Sequence, residues 1–176
     1  MHRFNFDEIQ TLMRKAFYIL LLLVPTATFA QTRLELTTRG FSTIEVPRPE
    51  GTVEELVEAS RAWANEYRHE QPSVHDVTSN SLKITAIRND AFFYRNVGET
   101  FRNGVGYTLS VTFTDTACKV TFTINDIYER NTLKEMEISD YFTSDGRPKE
   151  DFEDVKPSLE ETVNNLVKSY LSYISS

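Results

Sequence analysis

Two stretches in the second half of the chain carry its clearest pattern. Apolar and hydroxyl side chains alternate over residues 105–113, and the alternation returns over residues 120–125. Successive side chains of a strand point to opposite sides, so strict alternation predicts strands that bury one face only. Asp115-Thr116-Ala117 turns the chain between them, which predicts an antiparallel hairpin with one apolar and one hydroxyl-rich face. The hydroxyl-rich positions are Thr108, Ser110, Thr112, Thr121 and Thr123.

Other segments carry weaker strand patterns. Residues 41–46 predict a first strand that ends at Pro47. Residues 33–38 before it are either a lead-in strand or a mobile start. Residues 82–87 alternate as a half-buried strand does, with apolar side chains at every second position on one face. We therefore expect about five strands in all.

Two helices are predicted by apolar residues at three- and four-residue spacing. The first follows Thr52, which forms a capping box with Glu55, and it buries a stripe that contains Trp63, the only tryptophan. The second begins with Ser158 and Glu161 as another capping box. Each helix is apolar on one side only, so each is expected to cover a single partner surface.

The order of the elements predicts the architecture. It is strand, helix, about four strands and helix (β-α-β4-α), with a polar, acidic excursion at residues 129–156. The sheet and both helices each have one apolar face, and two packed layers bury all of these faces together. We therefore predict a two-layer α+β domain, with an antiparallel sheet of about five strands and both helices on one of its faces. The hydroxyl-rich face is left open.

The start of the chain predicts export. Residues 13–30 hold two basic residues, an unbroken apolar run and then small residues before Gln31, which is the pattern of a cleaved secretory signal. The apolar run is shorter than the roughly 20 residues that span a bilayer. We therefore predict an N-terminal extension and signal peptide over residues 1–30 and a single α+β domain over residues 31–176, with Met13 as the hypothesised initiator. The expected location is periplasmic or secreted.

Charge and cysteine content narrow the function classes. The net charge of −7 disfavours nucleic acid and anionic lipid as partners, because both are held by Lys and Arg. Cys118 is the only cysteine, so no internal disulfide forms, and we interpret it as a buried, inert thiol. A lipid anchor would need a cysteine where Gln31 stands. We expect no stable membrane insertion after signal cleavage.

The residues that could act in catalysis or bind a metal are better interpreted as structural or surface residues. His75-Asp76 is an adjacent imidazole–acid pair, but neighbours on a strand point to opposite faces, which favours a surface pair. His69 suits the end of the first helix, where a cation complements the helix dipole. The spacing of the acidic residues matches no calcium loop, and no cofactor or metal is expected. These acidic residues are Glu135, Glu137, Asp140, Asp145, Glu150, Asp151, Glu153 and Asp154.

Two further features concern the surface. Asp115-Thr116-Ala117 resembles a short acceptor motif for O-glycosylation in some Gram-negative bacteria, which makes Thr116 a candidate acceptor. The aromatic run of residues 92–94 either continues the strand before it or begins another after a turn at Asn89-Asp90. Either a loop covers Phe92 and Tyr94, or they remain on the open face as contacts, with residues 98–104 as a flexible rim.

Three of these features together resemble a known family. They are the signal followed by an early strand, the helix TVEELVEASRAWANEY, and the hairpin YTLSVTFTDTACKVTFTINDIY that leads into a polar segment and a final helix. The chain resembles a bacterial domain-of-unknown-function family (family 4468) described as having a TATA-binding-protein-like fold. The resemblance implies that fold and export in a Gram-negative bacterium, with no assigned activity and no site residues. Because the open face offers Thr, Ser and Asn with little positive charge, we do not expect DNA binding.

We therefore expect an exported binding or accessory module. Its predicted contact residues are the five hydroxyl positions of the hairpin together with Phe92 and Tyr94, and its predicted ligand is a protein or a glycan of the cell envelope. One alternative is a small periplasmic hydrolase, in which His75, Asp76 and a residue of the late acidic segment converge. The other is a structural envelope protein.

Overall fold

The computed structural model describes residues 33–66, 70 and 72–176, and the predicted signal sequence, Tyr67 and His69 lie outside this range. Eight strands and two α-helices follow one another within it, with a 3-10 helix at Ile138–Tyr141. The strands are β1 (Leu36–Thr37), β2 (Gly40–Phe41), β3 (Ile44–Pro47), β4 (Ser73–His75), β5 (Ser81–Asn96), β6 (Glu99–Phe113), β7 (Ala117–Glu129) and β8 (Thr132–Lys134); the helices are α1 (Val53–Glu66) and α2 (Val155–Ile174).

Six of the strands form one antiparallel sheet. Its order is β3-β7-β6-β5-β4, and β8 pairs with the far end of β7. The long strands β5, β6 and β7 follow one another through hairpins, and the β6–β7 pair is the hairpin that the alternating pattern predicts. β1 and β2 form a separate two-stranded ladder. The predicted antiparallel α+β fold is thus confirmed, with six sheet strands where about five were expected.

One face of the sheet carries the core. Its inward side chains alternate along each long strand, as Leu82 and Ile84 do on β5, and they pack with the buried stripes of both helices. Trp63 is only 2% exposed at the centre of the α1 stripe. The two helices therefore cover the same face, which confirms the predicted two-layer arrangement.

The capping boxes show where local sequence decides a helix start. The backbone N–H of Thr52 donates to Glu55 Oε2 at 2.7 Å and the N–H of Glu55 donates to Thr52 Oγ1 at 3.2 Å, which confirms the first box. The second box is wrong, because α2 begins three residues before Ser158. The Ser158 hydroxyl instead donates to the Asp154 carbonyl and accepts the N–H of Phe93. Pro157 is tolerated inside the first turn because N–H groups there have no helical partner anyway.

Several predicted strand limits need correction. The expected first strand is two strands, β2 and β3, and residues 33–38 contribute the lead-in strand β1. The aromatic run continues β5 beyond a bulge between Arg88 and Phe92. The expected flexible rim at residues 98–104 is wrong: only Val97 and Gly98 form the turn, and β6 begins at Glu99. Of the helices described here, none is long and apolar enough to cross a membrane.

Candidate functional site

The hydroxyl residues of the central hairpin lie in register on the sheet face opposite the helices. Thr108 of β6 lies between Thr85 of β5 and Thr123 of β7, and Ser110 lies opposite Thr121 in the next row. Thr123 is exposed and the others are half-buried, as is usual in the middle of a solvent-facing sheet. Rows of hydroxyl groups therefore run across a face that water reaches, and we call this the open face.

Polar contacts hold these rows in position. The Thr121 and Thr43 hydroxyl oxygens are 2.8 Å apart, and the Asn125 side-chain amide donates to Thr108 Oγ1 at 2.9 Å. Thr112 lies in the third row beside Lys119, whose ammonium is 3.3 Å from a carboxylate oxygen of Glu45. The face is thus a polar surface whose side chains are partly oriented by one another.

Two glycines and two bulges make one part of the open face concave. Gly104 and Gly106 leave the face without side chains, and a Cβ at Gly106 would lie 3.1 Å from Asp126 Oδ2 and 3.4 Å from the Tyr128 ring. A Cβ at Gly104 would lie 2.9 Å from the Arg88 carbonyl oxygen, where β5 bulges over the sheet. β7 carries the second bulge beside Gly106. Bulges bend a sheet and re-aim its side chains, which here opens a groove.

This open-face groove has a volume of about 500 Å³. Its walls bring carboxylate, amide and hydroxyl groups together with apolar surface, including Ile87, which is 43% exposed. The side chains that line it include Thr85, Ile87, Asn89, Asn125, Asp126 and Tyr128. A concave, partly apolar cleft with a few convergent polar groups is the usual form of a small-ligand site.

A buried carboxylate, that of Glu70, is among the groups that line this groove. Glu70 is 5% exposed, accepts a hydrogen bond from Tyr107 Oη at 3.1 Å and pairs with the Arg88 guanidinium. Charge pairing of this kind offsets the cost of burying the carboxylate. Glu70 therefore fixes the groove wall as part of a hydrogen-bonded cluster.

The expected aromatic contacts lie elsewhere. Phe92 is only 1% exposed and meets the Tyr141 ring edge to face, with 5.4 Å between the ring centroids. Tyr94 stacks on Phe101, and the Phe152 ring covers it at 4.9 Å. The placement of Phe92 and Tyr94 on the open face is thus wrong, because both continue the core-facing alternation of Leu82 and Ile84, which the two extra residues between Arg88 and Phe92 leave unchanged. On the core side, Tyr141 of the 3-10 helix and Phe152 in the segment after it cover them, as the alternative interpretation has it.

The residues proposed for a hydrolase are not brought together. His75 Nδ1 lies 3.6 Å from Asp76 Oδ2, but the Lys83 ammonium lies nearer, at 2.9 Å, and lowers the pKa of the Asp76 carboxyl. His75 pairs with Lys83, whereas Asp154 lies 3.7 Å from Arg95 at the other end of β5. Lys83 and Arg95 pair with Ser110 and Thr100 of β6, so at about 3.3 Å per residue these ends are roughly 33 Å apart.

The remaining residues of interest are placed as follows. Cys118 is buried at the start of β7, and burial raises the pKa of its thiol to about 12. Thr116 is exposed at the tip of the β6–β7 hairpin. Within residues 33–66, 70 and 72–176, His, Cys, Asp and Glu form no group of three or more that could hold a metal ion.

The sequence contains residues that indicate the groove, although the hairpin pattern alone does not predict it. Gly104 and Gly106 lie inside a strand, where glycine marks a bulge or a close approach. Asn89-Asp90 and Asn125-Asp126 interrupt strands with residues that strands disfavour. No single strand shows that these four features face one another, because only the register of β5, β6 and β7 joins them.

The fold and the open face define a small two-layer α+β protein with helices on one side of its sheet only. No protein-family model matches the chain, and no curated protein is significantly similar to it. A solved structure is similar: a DUF4468 family protein from Bacteroides ovatus, with a TM-score of 0.54 and 10% identity, over 84% of this chain and 92% of that one. The match confirms the predicted resemblance to this family, and at that identity what the two chains share is the fold.

Proposed function

We propose that this protein is a binding module that holds a glycan in the open-face groove. The observation that carries the proposal is the mixture of groups around Gly106. Asp126 and the amide of Asn125 offer an acceptor and a donor at the bulge, and the Tyr128 ring adds a flat apolar surface beside them. Sugars present hydroxyl groups at their edges and C–H groups on their faces, so they need this combination.

The apolar surface near the groove supports a flat ligand. Ile87 and Leu133 are 43% and 57% exposed, and Leu133 lies opposite Tyr128 on the same face of the sheet. Exposed large apolar side chains that cluster beside a concave site often mark a contact surface. The hydroxyl rows at Thr108 and Thr123 extend the polar surface away from the groove, so a chain of several sugars has room to continue.

The test is direct binding of oligosaccharides. Wild-type protein is titrated by calorimetry against a panel of neutral and acidic oligosaccharides prepared from bacterial envelope polysaccharides. Asp126→Asn and Tyr128→Ala are expected to weaken binding of the strongest ligand about fivefold or more, since a good hydrogen bond or ring contact contributes about 1 kcal/mol or more. Glu45→Gln, on the same face but outside the groove, is the matched control and is expected to bind as wild type does. Equal weakening in all three variants, or no binding by the wild type, contradicts the proposal.

Export is part of the same proposal. It is supported by residues 13–30, which have the pattern of a secretory signal. We expect the mature protein to begin at Gln31 and to be recovered from the periplasm or the medium. N-terminal sequencing of protein from each cell fraction is the check, and a cytoplasmic protein that begins at Met1 or Met13 contradicts it.

A further inference from the structure

Asp126 is a carboxylate without a charge partner at the wall of the open-face groove. It follows the extra residue of β7, and its side chain is exposed. In the described part of the chain, no Lys, Arg or His side chain forms an ion pair with it. By contrast, Glu45 pairs with Lys119 of the same face at 3.3 Å. The charge of Asp126 is therefore left for a ligand or for solvent to balance.

The rest of the groove adds no positive charge. Glu70, the other carboxylate of its lining, is already paired with the Arg88 guanidinium. Among the described residues, no Lys, Arg or His lines the groove, whose other polar groups are amides and hydroxyls. Charges in a cleft are screened less by salt than charges on an open surface, so an acidic ligand is repelled here and a cation is attracted. The groove therefore disfavours acidic sugars.

The space above Gly106 brings this charge next to an aromatic ring. A Cβ at Gly106 would lie 3.1 Å from Asp126 Oδ2 and 3.4 Å from Tyr128 Cε2. Because glycine has no Cβ, a ligand atom can approach the backbone here and meet both groups. The extra residue of β7 creates the arrangement, since it directs Asp126 and Tyr128 to the same face as Gly106.

An ammonium group suits this position better than a hydroxyl group does. It donates a charge-assisted hydrogen bond to a carboxylate, and such bonds are stronger than those between neutral groups. Its positive charge is also attracted to the face of a neighbouring aromatic ring. An amine that carries an acetyl group has lost this charge. Among sugars, the group that matches the site is therefore the free amine of an amino sugar.

We propose that the open-face groove selects glycans that carry a free amine, and that it binds the ammonium group over Gly106, beside Asp126 and Tyr128. The proposal rests on the proposed function and names the class of sugar that the groove takes. The amide and hydroxyl groups of Asn89 and Thr85 line the same groove and are available to the neutral part of the sugar. Charge complementarity at one position supplies the selectivity.

The test compares three tetrasaccharides with the same linkage, namely cellotetraose, the tetramer of N-acetylglucosamine and the tetramer of glucosamine. Calorimetric titration in mildly acidic buffer, in which the sugar amines are protonated, is expected to show about fivefold or tighter binding of the glucosamine tetramer by the wild type. Asp126→Asn keeps the shape of the side chain and is expected to abolish this preference. Glu45→Gln removes one negative charge outside the groove and is the matched control, which is expected to keep the preference.

A second variant tests the position of the ammonium group. Gly106→Ala places a methyl group beside the carboxylate and is expected to weaken binding of the glucosamine tetramer about fivefold or more, with a smaller effect on cellotetraose. Equal weakening of both tetrasaccharides overturns this position. Spermidine carries amines without a sugar and is expected to bind more weakly than the glucosamine tetramer. Equal affinity for spermidine overturns the selection of an amino sugar.

The remaining outcomes separate this inference from the glycan proposal itself. Equal binding of the three tetrasaccharides by the wild type overturns the selection of an amine and leaves the groove a glycan site. A preference that persists in Asp126→Asn, or that Glu45→Gln loses to the same extent, overturns the assignment to Asp126. Failure of the wild type to bind the glucosamine tetramer overturns the inference, whereas titration with the envelope oligosaccharides decides the glycan proposal independently.

Discussion

The indole ring of Trp63 on α1 meets the phenol ring of Tyr170 on α2 edge to face, with 5.1 Å between the ring centroids. The contact continues into a hydrogen-bonded chain, because Ser60 Oγ lies 2.8 Å from Tyr170 Oη and donates to the Leu56 carbonyl at 2.7 Å. Since Ser60 has only one hydroxyl proton, Tyr170 is the donor in the bond between them. The two helices are therefore joined by packing and by a satisfied polar contact.

Loss of this contact is expected to lower the free energy of unfolding when the Trp63 ring is removed. Trp63→Ala is expected to lower the free energy of unfolding by about 3–5 kcal/mol, as large-to-small core substitutions do. Tyr170→Phe removes only the hydroxyl group and is expected to cost about 1 kcal/mol. Urea unfolding followed by circular dichroism measures both. A Trp63→Ala midpoint close to that of the wild type would show that Trp63 is not the anchor of α1.

Replacement of the buried Asn103 by an apolar residue is expected to stabilise the protein. Its side chain is 1% exposed, and neither its Nδ2 nor its Oδ1 has a hydrogen-bond partner among the described residues. Asn103→Leu keeps a similar shape without the buried polar atoms, so we expect it to raise the free energy of unfolding by about 1–3 kcal/mol. Ser60→Ala is the control, because Ser60 makes its hydrogen bonds and its loss should destabilise. A destabilised Asn103→Leu protein would mean that the amide is satisfied in solution.

The turn between β5 and β6 offers a second substitution that is expected to stabilise the protein. Val97 and Gly98 have φ angles of 49° and 80°, which is the left-handed pair of a type I′ turn. A β-branched residue is strained there, and Val97 is 97% exposed, so no packing offsets the strain. Val97→Asn is expected to raise the free energy of unfolding by about 1 kcal/mol, measured by thermal unfolding. Val97→Ile keeps the branched side chain and is expected to give no gain.

Because the Cys118 thiol is buried, we expect the folded protein to lose stability at alkaline pH. Burial raises the pKa of its thiol from 9.0 to about 12, so the folded protein keeps a proton that the unfolded chain releases. The contribution of the protonated thiol to stability is fully present below about pH 9. As pH rises toward 12 this contribution is lost, and the free energy of unfolding falls by about 1 kcal/mol per pH unit. Cys118→Ala is expected to flatten this dependence in urea unfolding between pH 8 and 11. An Ellman reagent that labels the native thiol at pH 8 would contradict the buried state.

Glycosylation at Thr116 would make protein from the native envelope heavier than the unmodified polypeptide. It is exposed at the β6–β7 turn, where a modifying enzyme reaches it. If the acceptor motif functions, protein isolated from its native envelope carries added hexose units, and Thr116→Ala removes them. Intact mass spectrometry measures the difference. A native mass equal to that of the unmodified polypeptide rules out Thr116 as an acceptor.

Local sequence could predict those parts of the fold in which each residue's neighbours along the chain decide its conformation. The Thr52–Glu55 capping box and the alternation of Leu82 and Ile84 are examples, since both depend on contacts within a few residues. Ser158 did not follow this rule. It has the sequence of a cap, yet its hydroxyl bonds to β5, 65 residues away in the chain, and the helix starts earlier.

The candidate sites could be predicted only in part, for the same reason. The hydroxyl rows follow from alternation, and their exposure follows from helices that are apolar on one side. By contrast, the bulge in β7 beside Gly106 depends on register with the neighbouring strand, and its one extra residue moves the later side chains of β7 to the other face. The sequence by itself therefore determined two layers and a polar outer face. Tertiary structure decided where that face turns concave, because this depends on pairing between distant segments.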